Sequence, residues 1–422
     1  MQKPLKNGWR KVKLKEVCRE ITVGYVGSMA KEYVDQGIPF LRSQNILPFS
    51  LELSSVKYIT PEFHAKLKKS ALLPGDVAVV RTGYPGTACV IPSKLSICNC
   101  ADLVIIRPSE EVNAKYLTCI FNSSWGQGTI AGTLVGVAQQ HFNVSAAKEM
   151  EVNLPPRHTQ DKIAAILSAY DRLIENNTRR IEILEEMARS LYREWFVNFR
   201  FPGHEQVQMV DSELGLIPEG WEVKKLTDAV FANPKTEVPK EGEKPFVTMK
   251  HLSNELMLIQ DIEYRSGNSG AKFKNGDTLF ARITPCLETG KTGYVQFLPD
   301  NEAVAFGSTE FIVLRSKTLC PEYIYFMARS IPFRENAIKS MVGASGRQRV
   351  QLACFDQFLL ANPNKNLLGK FSEIASRYFR SIHLLAQKND NLRQTRDLLL
   401  PRLISGEIDV ENLDINTSQI AA

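Results

Sequence analysis

QDKIAAILSAYDRLIENNTRRIEILEEMARSLYREW, residues 160–195, sets its apolar side chains at Ile163, Leu167, Tyr170, Ile174, Ile181, Leu184, Ala188, Leu191 and Trp195, with Asn177 at the one polar step. The steps alternate four and three without a break, which is the period of a coiled-coil seam. The pattern returns in FSEIASRYFRSIHLLAQKNDNLRQTRDLLLPRL, residues 371–403, at Phe371, Ala375, Tyr378, Ile382, Leu385, Asn389, Leu392, Arg396, Leu399 and Leu403. Ten positions occupy roughly 58 Å of helix, more than one small module covers. The alternative, each stripe packing on its own module, stays open. A seam asparagine is unfavourable unless it meets a polar partner, and then it selects alignment. Asn177 and Asn389 therefore form the expected pair, and only antiparallel helices allow it. Ile174 then faces Leu392, Ile181 faces Leu385, Leu167 faces Leu399, Ile163 faces Leu403 and Trp195 faces Phe371, while Ala188 meets Tyr378 and Leu191 meets Ala375. Tyr170 against Arg396 is the odd layer, expected as a guanidinium stacked on the ring.

Ahead of each helix lies one copy of a repeated unit. Gly8-Trp9 and Leu14 return as Gly220-Trp221 and Leu226, Pro39-Phe40 as Pro245-Phe246, and Gly75-Asp76 with Arg81 as Gly276-Asp277 with Arg282. Asn113–Leu117 matches Cys320–Ile324, and Leu154-Pro155 matches Asn362-Pro363. Short β-rich runs at 76–80, 102–106 and 310–314 read as strands, and the stretches around Tyr116–Phe121 and Tyr323–Met327 as amphipathic helices. The fold class expected is α/β, two mixed α+β modules in tandem. The two long helices would form an antiparallel coiled coil holding the modules at its opposite ends, with pseudo-two-fold symmetry.

The 422 residues are 44% hydrophobic and 23% charged, as in ordinary globular protein. No run of eighteen apolar residues occurs, and the start MQKPLKNGWRKVKLKEV has no apolar core, so neither a membrane span nor a secretory signal is expected, and the compartment is the cytoplasm. Eight scattered cysteines without a CxxC pair read as reduced thiols, with Cys98 and Cys100 on one side of a strand as core rather than metal ligands. The net charge of +6 is concentrated in the first module: residues 1–157 hold 19 Lys and Arg against 12 Asp and Glu, or +7, leaving −1 for the rest. That balance suits a polyanionic partner.

Cofactor chemistry finds no support. Gly290-Lys291-Thr292 lacks the earlier glycine of a phosphate loop, with Pro285 in its place. There is no Asn-Pro-Pro-Tyr or Asp-Pro-Pro-Tyr box, no S-adenosylmethionine loop and no nuclease carboxylate pattern, and six dispersed histidines give neither HExxH nor a triad. The expectation is a non-catalytic chain with no cofactor and no metal.

Leu154-Pro155-Pro156 leading into the first helix, Trp195-Phe196-Val197 near its end, and the string NLRQTRDLLLPRLISGEI at 391–408 give a family resemblance. With PFLRSQNI at 39–46, whose copy PFVTMKHL at 245–252 lacks the Arg and Asn, the chain resembles the specificity subunit of type I restriction–modification systems along essentially its whole length. The resemblance implies a DNA reader. Two target-recognition domains would bind double-stranded DNA, two methyltransferase subunits would be seated, and a restriction and translocase subunit recruited. The divisions expected are a first recognition domain at 1–157, a spacer helix at 158–200, a linker and second recognition domain at 201–363, a second spacer helix at 364–407 and a tail at 408–422.

Polar loops carry the candidate readers. Arg, Gln and Asn have the forked geometry that matches guanine and adenine edges in the major groove. Arg42, Gln44 and Asn45 follow a predicted strand; Arg81, Thr82 and Tyr84 follow another, and Gln139, Gln140 and His141 fill a third turn. The second module offers Lys250 and His251, then Arg282 and Thr284, then Arg347, Gln348 and Arg349. Each could equally be a solvated side chain or a phosphate contact. Lys66, Lys68 and Lys69 read as a solvated face. Exposed Trp195, Phe196, Leu398 and Leu400 are expected to leave apolar surface for partner helices. Two other readings remain: a coiled-coil scaffold bridging two protein-binding modules, and an orphan specificity subunit used for module exchange.

Overall fold

The computed structural model describes residues 6, 8–134, 141–344 and 346–418. The chain divides into two units, one of residues 1–175 with 390–422 and one of residues 176–389.

The first unit holds two sheets. One has the strand order Ala88–Val90, Val77–Val80, Leu103–Pro108, Cys18–Val23, antiparallel throughout. The other runs Tyr33–Val34, Lys57–Ile59, Ile38–Leu41, Cys98–Cys100, Ala71–Leu72, with one parallel pair that sets Asn99 opposite Phe40. In the second unit the first order recurs whole, as Thr292–Tyr294, Thr278–Ala281, Phe311–Ser316, Val230–Ala232, and the second recurs in four strands without an equivalent of Tyr33–Val34, as Glu263–Arg265, Lys244–Val247, Val304–Gly307, Ala271–Lys274. Again one pair is parallel, Phe246 opposite Phe306. The runs read as strands from the sequence fall at Val77–Val80, Leu103–Pro108 and Phe311–Ser316, buried on both faces except at Arg107, Arg315 and Ser316, which are half-buried. Near-continuous Val, Ile and Leu is what such strands require.

The repeated Gly-Asp pair explains itself in these turns. Gly75 and Gly276 sit at φ 88 and 87, where a side chain is strained. The next residue, Asp76 or Asp277, is buried and accepts from the backbone N–H three residues back, Leu73 at 2.9 Å and Lys274 at 2.8 Å. Each also meets an arginine of the neighbouring strand, Arg107 or Arg315. Burial pushes both carboxyls above their ordinary 3.8, with the arginines pulling the other way.

The long helices run Arg157–Tyr192, followed by a π turn at Arg193–Val197, and Lys365–Ile404. Their pairing is antiparallel within each unit. In the first, Ile163 and Leu167 pack in one core with Leu400, Leu403 and Ile404, and Arg396 bonds Asp171 at 2.7 Å. In the second, Trp195 lies 6.2 Å from Phe371, ring to ring, while the Asn177 amide donates to Asn389 Oδ1 at 2.9 Å. Asn389 in turn donates to Thr178 Oγ1 at 3.2 Å. No seam residue of either helix is exposed.

The Tyr170 layer differs from expectation. Arg396 is drawn to the carboxylate of Asp171, and its guanidinium carbon lies 4.9 Å from the ring of Phe49 instead of stacking on Tyr170. The Asp171 carboxylate fixes the guanidinium where its face meets Phe49 and not Tyr170. A second correction concerns Trp195, Phe196 and Leu400, which are buried, the first two in an aromatic cluster where Phe196 is 4.9 Å from both Tyr323 and Phe371. Only Leu398 of that set is exposed.

Replacing Asn177 by Leu should cost about 1–3 kcal/mol, because Asn389 Oδ1 would lose a buried donor. Making both positions Leu should restore most of it, since two apolar partners remove the unmet polar group. Urea unfolding of the two variants distinguishes them; a double variant no more stable than the single one would contradict this.

Cys98 and Cys100 are core thiols, near the carbonyls of Leu72 and Ser70, and burial pushes Cys98 up to about 12. Among the described residues no helix is long and apolar enough to cross a membrane.

Candidate nucleic-acid interface

In the first unit Asp102 gathers the candidate loops. It stands at φ 55 just before the strand Leu103–Pro108, and it receives Arg81 at 3.5 Å and the Thr82 hydroxyl on its carboxylate. Its carbonyl faces Ser43 Oγ at 3.4 Å, which brings the 3-10 turn Ser43–Asn45 to the same place. Phe142 N–H donates to Arg81 carbonyl at 3.0 Å, so His141 lies beside it in sequence and in space. Gln139 and Gln140 lie outside the described residues.

The turn itself sorts its polar residues. Gln44 is exposed, and Tyr84 in the neighbouring loop is 85% exposed. Arg42 is half-buried, donating to the Ser55 carbonyl at 2.7 Å, with Nε unpaired. Asn45, by contrast, is fully buried. It accepts from Arg42 N–H at 3.0 Å and donates to the Glu52 carbonyl at 2.9 Å, so it holds the loop and is withdrawn from the set of base readers.

Glu310 occupies the corresponding place in the second unit, just before the strand Phe311–Ser316. Arg349 forks onto its carboxylate at 2.6 and 3.0 Å, and Arg282 N–H donates to its carbonyl at 3.0 Å. The hydrogen bonds to Glu310, and then its charge, hold the Arg349 guanidinium above its ordinary value. Arg282 donates to the Val350 carbonyl at 2.9 Å. It also lines a recess of about 450 Å³ with Lys235 and Lys272. Arg347 is exposed and Gln348 half-buried, and the Gln348 backbone exchanges two hydrogen bonds with Thr284 at 3.1 Å. Thr284 is thereby buried and structural, a correction to its candidate role.

Lys250 is exposed but paired with Glu263 at 2.5 Å. His251 is buried and accepts from Thr248 N–H at 3.0 Å through Nδ1, the same duty that Asn45 performs in the first copy. Burial lowers its pKa, and it too leaves the set of readers. Lys66, Lys68 and Lys69 are all exposed.

The acidic hubs Asp102 and Glu310 were missed because they read as strand boundaries. Their signal was available: an acid at the same place in both copies, each followed by an apolar strand. The arrangement can do one thing chemically. It presents several charged or forked donors from one patch per unit, with an acid keeping them oriented. Among the described residues no group of His, Cys, Asp and Glu could hold a metal ion.

Known proteins are similar to this chain. The type I restriction enzyme MjaIX specificity subunit of Methanocaldococcus jannaschii is 27% identical over 325 residues, 73% of this chain and 72% of that protein. The HindI specificity subunit of Haemophilus influenzae is 21% identical over 328 residues, 62% and 70% of the two chains. The crystal structure of the type I restriction–modification S subunit from M. genitalium covers 95% of this chain and 97% of its own, with a TM-score of 0.56 at 14% identity, a likeness of fold. The family model described as the type I restriction modification DNA specificity domain matches residues 6–186 and again 218–394. With two copies of that domain spanning both repeats, the chain belongs to the type I restriction–modification DNA specificity family.

Proposed function

We propose that the chain reads a bipartite target on double-stranded DNA, one half-site per module, and directs partner methyltransferase and restriction subunits to it without catalysing either reaction. The observation that carries this reading is the paired construction around Asp102 and Glu310, where equivalent acids orient arginines in both copies. Phosphate contacts would supply affinity, and side chains such as Gln44, Arg42 and Arg347 would supply base discrimination. Arg282, Lys235 and Lys272 suit a backbone phosphate. Two different readers on one chain read two different half-sites.

Two methyltransferase copies and the restriction subunits fit apolar side chains left uncovered on the helices: Leu173 and Leu398 in the first unit, Ile183, Met187 and Leu384 in the second. The complex would act in the cytoplasm. Binding of the assembled complex to duplex DNA tests the reading. Affinity is expected to fall linearly on a logarithmic salt axis, with a slope of about −0.9 per neutralised phosphate. Affinity independent of salt, or equal for any duplex sequence, would contradict it.

A further inference from the structure

Directly after the 3-10 turn Ser43–Asn45, and after its second-unit equivalent Met249–His251, comes a loop that reaches the long helices. In the second unit this is 252–260, and it is tied down unusually well. Glu185 of the first long helix is fully buried and accepts from Met257 N–H at 2.8 Å on one oxygen and from the Tyr325 hydroxyl at 2.6 Å on the other. Four residues on, Arg189 donates to the Glu255 carbonyl at 3.3 Å. Met257 is pinned from its other side by Tyr294 N–H, which donates to its carbonyl at 2.9 Å. The pinned stretch then returns to the turn, since Ile259 bridges Leu252 and Gln260 N–H donates to the His251 carbonyl at 3.2 Å. His251 in turn holds Thr248 N–H. A chain of short bonds thus links Glu185 to the turn 248–251.

The first unit has the same link in different chemistry. Its loop is the hairpin Ile46–Leu51, closed onto the turn by Asn45 and Glu52, which exchange bonds at 2.9 Å. At the hairpin tip Phe49 packs under the Arg396 guanidinium of the second long helix, and Asp171 of the first holds that guanidinium.

A buried carboxylate is a poor choice for stability alone. Desolvation is expensive and an apolar residue of similar volume is often as good or better. What a carboxylate with two directed donors provides is a fixed position for the atoms that donate to it.

We propose that Glu185 is a positioning residue for the second module's turn 248–251, which presents Lys250, and Arg396 its counterpart for the first module's turn Ser43–Asn45, which presents Gln44, each carrying the geometry of the long helices to one half-site. The inference rests on the bipartite reading above. It extends it, because it assigns half-site discrimination to residues that touch no DNA.

The test compares base preference in the two half-sites, using the complete complex with its methyltransferase and duplexes randomised in one half-site at a time. Glu185→Gln keeps the volume but not the charge: with its single amide oxygen on Met257 N–H, its NH2 must donate to the Tyr325 oxygen, so the Tyr325 bond reverses and both bonds become neutral ones. Arg396→Lys keeps the charge for Asp171 and loses the flat face on Phe49. Each is expected to weaken discrimination about tenfold in one half-site, the equivalent of one lost directed bond, and the two variants should affect different half-sites. Arg189→Ala, which removes the 3.6 Å ion pair with Glu185 and the bond to the Glu255 carbonyl but leaves the Met257 and Tyr325 bonds in place, should shift the same half-site as Glu185→Gln by less, and it serves if the glutamine variant does not fold. Wild-type complex with no two-part preference overturns the bipartite reading and this inference together. Normal wild-type preference with both variants unchanged, or with both half-sites relaxed equally by either variant, overturns this inference alone.

Discussion

Asp277→Ala should lower the unfolding free energy by about 3–5 kcal/mol, the usual loss when one member of a buried ion pair is removed. Arg315 would keep its guanidinium, 17% exposed, with both of its bonds to that carboxylate gone, and Lys274 N–H would lose its acceptor. Domains are stable by about 5–15 kcal/mol, so this is a large fraction of the total. Asp76→Ala should be milder. Arg107 lies 3.4 Å from Asp76 and keeps two other partners, Glu20 and the Ala71 carbonyl. Urea unfolding followed by tryptophan fluorescence gives both values. A loss within about 1 kcal/mol for Asp277→Ala would show that the pair is a surface-like contact of little weight.

The helices were the most legible part of the chain because their information is local. A four-three apolar alternation depends on nothing but spacing, and a single asparagine in each stripe was enough to state which residues meet. The sheets were legible where strands are buried on both faces, as at Val77–Val80. Site residues were harder, for a physical reason. A polar side chain that closes its own loop and one that reaches for a ligand have the same composition in the same turn. Asn45 and His251 look like readers in the sequence and are turn-holders in the structure, with each bonding the backbone N–H three residues before it. The Tyr170 layer failed for a related reason, since Asp171 on the adjoining position was the stronger partner for Arg396. Trp195 and Phe196 were misjudged because the aromatic cluster that buries them draws on Tyr323, more than a hundred residues away in the chain.

The second large effect concerns recognition. Arg42→Ala with Gln44→Ala should relax one half of the target, and Arg347→Ala the other, each lost base contact being worth about 1–3 kcal/mol. The residues lie in different units, around different acidic hubs, so their defects should be independent. The same half-site affected by both sets would show that the modules do not read separately.

Genome-wide mapping of N6-methyladenine in cells with and without this chain, its partner subunits present in both, tests the central claim most directly. The account predicts a motif that disappears with the chain and consists of two specified half-sites separated by unspecified base pairs. One continuous, ungapped motif, or a methylation pattern unchanged by the loss of the chain, would contradict it.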